Sequence, residues 1–217
     1  NCHVIRFAVP DEHTIRYIAL IVEGSGRFMN LRPTAHEKYK ALQARLRELE
    51  SCVIAFSAGV DSTVLLRVAV EVLGSERVLA VTGRSPSIPE AELRAAADLA
   101  AEFGAKHEFI DTREFEDEKY LSNPEDRCFH CKTELFERLT VLLCERGFTA
   151  ILSGANADDR EDYRPGARAA ADFRVLAPLA ECGLGKSEIR ELAAELGLVV
   201  HDKPAAPCLS SRVPYGQ

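Results

Sequence analysis

The stretch VIAFSAGVDSTVLL, Val53 to Leu66, runs an apolar strand into Ser-Ala-Gly-Val-Asp-Ser and then into a second apolar run with helical spacing. At such a junction the backbone N–H groups of the turn and of the first helical turn face whatever anion enters. Gly59 permits the tight backbone path, and the hydroxyls of Ser57 and Ser62 add donors. The reading is a phosphate-binding loop over Ser57, Ala58, Gly59, Val60, Asp61 and Ser62, with Asp61 bracing the loop rather than touching phosphate. The loop has no Walker lysine. Gly185-Lys186-Ser187 imitates the end of the Walker pattern, but Ala180 stands where the leading glycine belongs, so that match is set aside. Taken alone the loop leaves an alternative open, because any strand-to-helix turn is rich in the Ser, Gly and Asp that cap helices.

Outward from this loop, strand-like and helix-like runs alternate. Strands are expected over 52–57, 77–82, 107–111 and 150–154, and helices over 62–73, 89–103, 132–146 and 187–196. Each of these helices stops at a glycine (Gly74, Gly104, Gly147, Gly197) suited to a left-handed C-terminal position. Ahead of them, Thr34-Ala-His-Glu reads as a capping box, followed by Tyr39, Leu42, Leu46 and Leu49 at helical spacing. Such alternation predicts the α/β class, a parallel sheet with helices on both faces, with ligands gathered at the carboxyl ends of the strands.

The chain has 217 residues, 47% of them hydrophobic, enough for one sizeable core. Residues 1–28 read as an apolar leader, with Met29, the single methionine, as a start; 29–200 form the main domain, and 201–217 form a cysteine-bearing loop that begins a further region. A net charge of −7 and a pI near 5.5 argue against DNA as a partner and against an anionic membrane surface. No apolar run reaches the ~18 residues of a membrane span. A cytoplasmic protein is expected. Seven scattered cysteines fit reduced thiols rather than a disulfide framework. Cys52, Cys144 and Cys182 sit in apolar contexts and are read as small hydrophobes.

Four segments carry a more specific likeness. The loop resembles the pyrophosphate loop (PP-loop, SGGxDS) of ATP pyrophosphatases, with Ala58 in place of the second glycine, an exchange that costs little at negative φ. Ser85-Pro86-Ser87, SGANADDREDYRPGARAA (Ser153 to Ala170) and KPAAPCLSSRVPYG (Lys203 to Gly216) narrow this to the LarE family of sulfur transferases, over about Met29 to Gln217. The resemblance implies the adenine nucleotide alpha hydrolase-like fold and an ATP-dependent, pyrophosphate-releasing enzyme. Such an enzyme adenylates carboxylates of pyridinium-3,5-biscarboxylic acid mononucleotide and converts them to thiocarboxylates for the nickel-pincer cofactor of lactate racemase. It implies that Ser85, Lys132 and Gly154 join the loop in binding ATP, and that Asp158 and Asp159 hold Mg²⁺. Asp162, Arg164, Ser211 and Arg212 would then bind substrate, with Cys208, Asp61 and Arg212 in the chemistry.

Arg127-Cys-Phe-His-Cys-Lys adds Cys128 and Cys131, three residues apart and so on one helix face. With Cys208 they resemble the three-cysteine class of the family, which implies a 4Fe-4S cluster and sulfide or another sulfur donor as partner. A Cys₃His zinc site completed by His130 is the competing reading. The family's continuation beyond this chain implies a homo-oligomer for the full-length form. Two rivals stand: a tRNA thiolation enzyme with the same loop and cluster, and a non-catalytic nucleotide- or zinc-binding module.

Overall fold

Strand β1 (Cys52–Ala55) carries CVIA, apolar on both sides of the pleat, as a strand buried on both faces of a sheet requires. It lies between β2 (Val78–Arg84) and β4 (Ala150–Ser153), with β3 (Lys106–Asp111) outside β2. All pairs are parallel, in the order β3-β2-β1-β4, and Val53 stands opposite Leu79 on one side and Ile151 on the other. Beyond β4, Leu176 extends the sheet by one bridge: its N–H donates to Ile151 O and its carbonyl accepts from Ser153 N, both at 2.9 Å. The computed structural model describes residues 31–160, 165–204 and 207–216.

Eight helices are described: α1 (Pro33–Arg47), α2 (Val60–Leu73), α3 (Glu90–Glu102), α4 (Glu118–Leu121), α5 (Arg127–Arg146), α6 (Pro165–Asp172), α7 (Pro178–Glu181) and α8 (Lys186–Glu195). The period-2 alternation of the strands decides which helices they meet. Cys52 and Ile54 pack into a core built with α1, α2, α3 and α8 (Leu42, Leu65, Leu99, Ile189). Val53, Leu79, Val81 and Ile151 face the opposite layer, Phe136, Leu139 and Leu142 of α5 and Ala169 of α6. Each such side chain, fully buried, contributes about 1.5–3 kcal/mol. The sheet is therefore covered on both faces, as expected for the α/β class.

The glycine stops hold: Gly74, Gly104, Gly147 and Gly197 all have φ between 64° and 83°. Other boundaries differ. Helix α1 begins at Pro33 with Arg32 before it, so Thr34 is inside the helix rather than its cap. Proline suits that first position because its missing N–H is one the helix leaves unpaired anyway. Helix α5 begins at Arg127, five residues before the expected Lys132; Arg127 is buried and Cys131 is half-buried. Helices α4, α6 and α7 were not anticipated. Ala58 has φ of +54°, in the left-handed region, so the expectation of negative φ there is corrected. Among the described residues no helix is long and apolar enough to cross a membrane.

Candidate active site

At the carboxyl ends of β1, β2 and β4 lies a cleft of about 770 Å³. One wall is the loop after β1. Ser57, Gly59, Asp61 and Ser62 line it, whereas Val60 and Ala58 are buried in the core. The loop is braced internally: Ser62 Oγ accepts from Ser57 N at 3.4 Å and donates to Gly59 O at 3.1 Å. The floor at β4 is set by Gly154, where a Cβ would lie 2.8 Å from Ser62 N. Only glycine lets β4 approach the start of α2 so closely.

Asp61 is in the first turn of α2, where the helix dipole favours a carboxylate. Its Oδ2 accepts from Lys186 Nζ at 2.6 Å, while Oδ1 is buried with no hydrogen-bond partner among the described residues. Lys186, passed over in the sequence because its surroundings fail the Walker pattern, thus reaches the phosphate loop from α8. A second lysine arrives from the carboxyl-terminal side: Lys203 Nζ donates to Ala58 O at 3.3 Å and pairs with Glu92 at 2.7 Å. The Gly-Lys-Ser at 185–187 was a usable signal for Lys186; nothing in the sequence marked Lys203's partner.

The opposite wall carries sulfur. Cys128, Cys131 and Cys208 all line the cleft, with Lys132, Ser85 and Arg212. Burial pushes the Cys131 thiol up to about 11; Lys132 pulls the other way, and the charges of Glu114, Cys208 and Cys128 add to the rise. Cys131 is therefore within electrostatic reach of both Cys128 and Cys208. Among the described residues no three His, Cys, Asp or Glu side chains are already gathered as a metal site. His130 does not line the cleft; its ring faces Asp117 at 3.4 Å and Asp126 at 3.8 Å. Glu114, also unmarked in the sequence, is buried at the cysteine end, where Ser87 Oγ donates to its Oε1 at 3.4 Å.

The two aspartates after β4 have different tasks. Asp158 accepts from Lys186 N at 2.8 Å and so caps α8, away from the cleft. Asp159 lines the cleft, with Oδ2 accepting from Asn156 N at 3.0 Å. Ser211 lies behind Cys208, its Oγ 3.2 Å from the sulfur. Asp162 and Arg164 lie outside the described residues, as does the 1–28 segment.

The sequence model of the NAD synthase family matches residues 36–130. An uncharacterised protein of Synechocystis sp. is 44% identical over 180 residues, covering 83% of this chain and 67% of that one. The pyridinium-3,5-bisthiocarboxylic acid mononucleotide synthase of Lactiplantibacillus plantarum is 35% identical over 183 residues, covering 84% and 66%. The chain belongs to the LarE family. It spans about two thirds of the length of these two relatives. In three dimensions it is similar to NMN synthetase from Francisella tularensis, with a TM-score of 0.62, 18% identity, and 79% and 75% of the two chains covered. That likeness shows the fold: this chain shares the α/β architecture of that synthetase.

Proposed function

We propose that this LarE-family chain is an ATP-dependent sulfurtransferase that activates carboxylates of pyridinium-3,5-biscarboxylic acid mononucleotide as adenylates and converts them to thiocarboxylates. One observation carries the reading: a phosphate loop and three cysteines, from three separate parts of the chain, line the same cleft. The relative from L. plantarum, named for the bisthiocarboxylic product, supports the substrate.

The residues divide the work by position. Ser57, Gly59 and Ser62, with the main chain of Ala58 and Val60, hold the terminal phosphates at the α2 N-terminus. Lys186 moves its charge from Asp61 onto phosphate when ATP enters. Asp61 Oδ1, buried and unpartnered among the described residues, with Asp159 in the cleft, supplies oxygens of the kind Mg²⁺ prefers. Ser85, Lys132 and Gly154 border the nucleotide, and Arg212 orients the anionic substrate as a fork matched to carboxylate or phosphate. A substrate carboxylate oxygen attacks the α-phosphorus and pyrophosphate leaves; sulfur then attacks the acyl carbon and AMP leaves with the oxygen. Binding in this cleft lets the adenylate form beside the thiols.

A 4Fe-4S cluster would be held by Cys128, Cys131 and Cys208, whose side chains line one cleft but, among the described residues, are not gathered as a metal site. Such a cluster, when bound, offers one iron without a protein ligand, where sulfide from an external donor can reside. Cys208 would then be spared between turnovers. In this reading residues 29–200 form the nucleotide-binding unit and 201–217 present Cys208.

The test is AMP release by anaerobically reconstituted protein with ATP, Mg²⁺ and sulfide, comparing the pyridinium biscarboxylate mononucleotide, bulk tRNA and no acceptor. The expected result is AMP with the pyridinium nucleotide alone, with the product mass raised by exchange of oxygen for sulfur. AMP with tRNA instead would transfer the activity to RNA thiolation.

A further inference from the structure

The segment 207–216 that carries Cys208 contains no strand and only one short 3₁₀ turn, Leu209–Arg212. Contacts to one neighbourhood hold it. Leu209 N donates to Ser87 O at 3.0 Å, Tyr120 and Ser210 share a hydroxyl contact at 2.7 Å, and Asn123 Nδ2 donates to Pro214 O at 2.7 Å. At their centre is Arg127, only 4% exposed, the first residue of α5 and the immediate neighbour of Cys128. Its Nη1 donates to Asn123 Oδ1, its Nη2 donates to Ser211 Oγ at 3.3 Å, and its guanidinium lies 5.6 Å from the Tyr215 ring centre.

A buried guanidinium is costly unless its donors are used. Among the described residues no carboxylate pairs with Arg127, and its fork is spent on Asn123 and on the cysteine segment. The direction of these bonds matters. Arginine is a donor only, so Ser211 Oγ must accept from it, and the single Ser211 hydrogen is left for the neighbouring acceptor. Cys208 Sγ lies 3.2 Å away; either atom of that pair can donate, and the sulfur accepts the Ser211 hydrogen when it is a thiolate.

We propose that Arg127 is a positioning residue which, through the Ser211 hydroxyl, aims the Cys208 sulfur into the cleft beside Cys128 and Cys131. The proposal rests on the reading in which these three cysteines act together. It explains why a buried arginine stands directly before the Cys-x-x-Cys pair: one side chain fixes the spacing between two cysteine-bearing segments that are about 80 residues apart in sequence.

The test uses the reduced protein without any cluster and cadmium ion as the probe, titrated anaerobically. Sulfur-to-cadmium charge-transfer absorbance reports thiolate ligation, and the thiols left reactive in the bound protein are counted. The unaltered protein should bind cadmium with three thiolates, and Cys208→Ala with two. Arg127→Gln and Ser211→Ala should weaken binding by about tenfold or more and bring the absorbance towards that of Cys208→Ala. Arg127→Lys, which keeps the charge but not the fork, should fall with Arg127→Gln, whereas Ser211→Thr, which keeps the hydroxyl, should restore binding. ATP affinity should be unchanged throughout. If Arg127→Gln fails to fold, Ser211→Ala and Ser211→Thr carry the comparison, since they remove and restore one hydroxyl at the surface of the segment. Three-thiolate binding of undiminished affinity in Ser211→Ala and in folded Arg127→Gln would overturn the proposal. Equal binding by the unaltered protein and Cys208→Ala would instead sink the three-cysteine reading, and the proposal with it.

Discussion

Asp61 has two oxygens with different surroundings, and the difference locates the loop's working state. One is neutralised by Lys186 at 2.6 Å; the other is buried with no partner among the described residues. A half-satisfied carboxylate is a poor structural element, because an unmade bond at a buried oxygen costs about 1–3 kcal/mol. It makes sense as a ligand position that a cation fills. Lys186, in turn, is partly exposed and its pair with Asp61 is screened, so breaking that pair costs little. Lys186→Met should therefore leave the melting temperature nearly unchanged while raising the dissociation constant of Mg·ATP by about tenfold or more, the loss of one charged hydrogen bond of about 1.5–3 kcal/mol. Isothermal titration checks this. An unchanged dissociation constant would make Lys186 a brace for the loop and not a phosphate partner.

At the scale of elements, the approach of β4 to α2 is the tightest fit around the cleft. A methyl at position 154 would meet Ser62 N at 2.8 Å and Ser62 Cα at 3.0 Å, both backbone atoms that cannot swing aside. Gly154→Ala should cost about 1–3 kcal/mol by overpacking and displace the phosphate loop. Denaturant unfolding together with Mg·ATP titration checks it: stability and affinity should fall together, and loss of stability with intact affinity would separate the loop from β4. This close approach could not be read from the sequence, where Gly154 is one residue in a run of small ones. The four strands and the helices ending at Gly74, Gly104 and Gly147 were legible because apolar period and glycine stops agree there. The start of α5 was not, because Arg127-Cys-Phe-His-Cys has no apolar period; its first turn is fixed by tertiary contacts of Arg127 and Cys131. Pro165-Gly166 likewise reads as a turn, yet it opens α6, with the proline at a position that needs no N–H. Ala58 hid its strain: left-handed backbone costs an alanine about 1–2 kcal/mol, and its Cβ, fully buried, returns part of that through packing.

Across the whole molecule, the described cysteines sample every layer of the fold, so their reactivities report its assembly. Cys128 and Cys144 are exposed, one at each end of α5. Cys131, one turn from Cys128, has its thiol raised to about 11 by burial, and Cys52, inside the sheet, is raised to about 12 by the same cause. Thiolate is the reacting species, and near pH 8 a thiol with a pKa of about 11 carries roughly a hundredfold less thiolate than an ordinary one. Iodoacetamide at pH 8, followed by peptide mass mapping, should modify Cys128 and Cys144 first, Cys131 at least about tenfold more slowly, and Cys52 only after denaturation. The sharp comparison is within one helical turn. Equal rates for Cys128 and Cys131 would mean that the first turn of α5 is not packed under the Cys208 segment, and the shared cleft on which the proposed sulfur chemistry depends would not exist in the free protein. A slow Cys131 beside a fast Cys128 would show that the segment is seated before any cluster or substrate arrives, and that the fold itself brings the thiols to the phosphate loop.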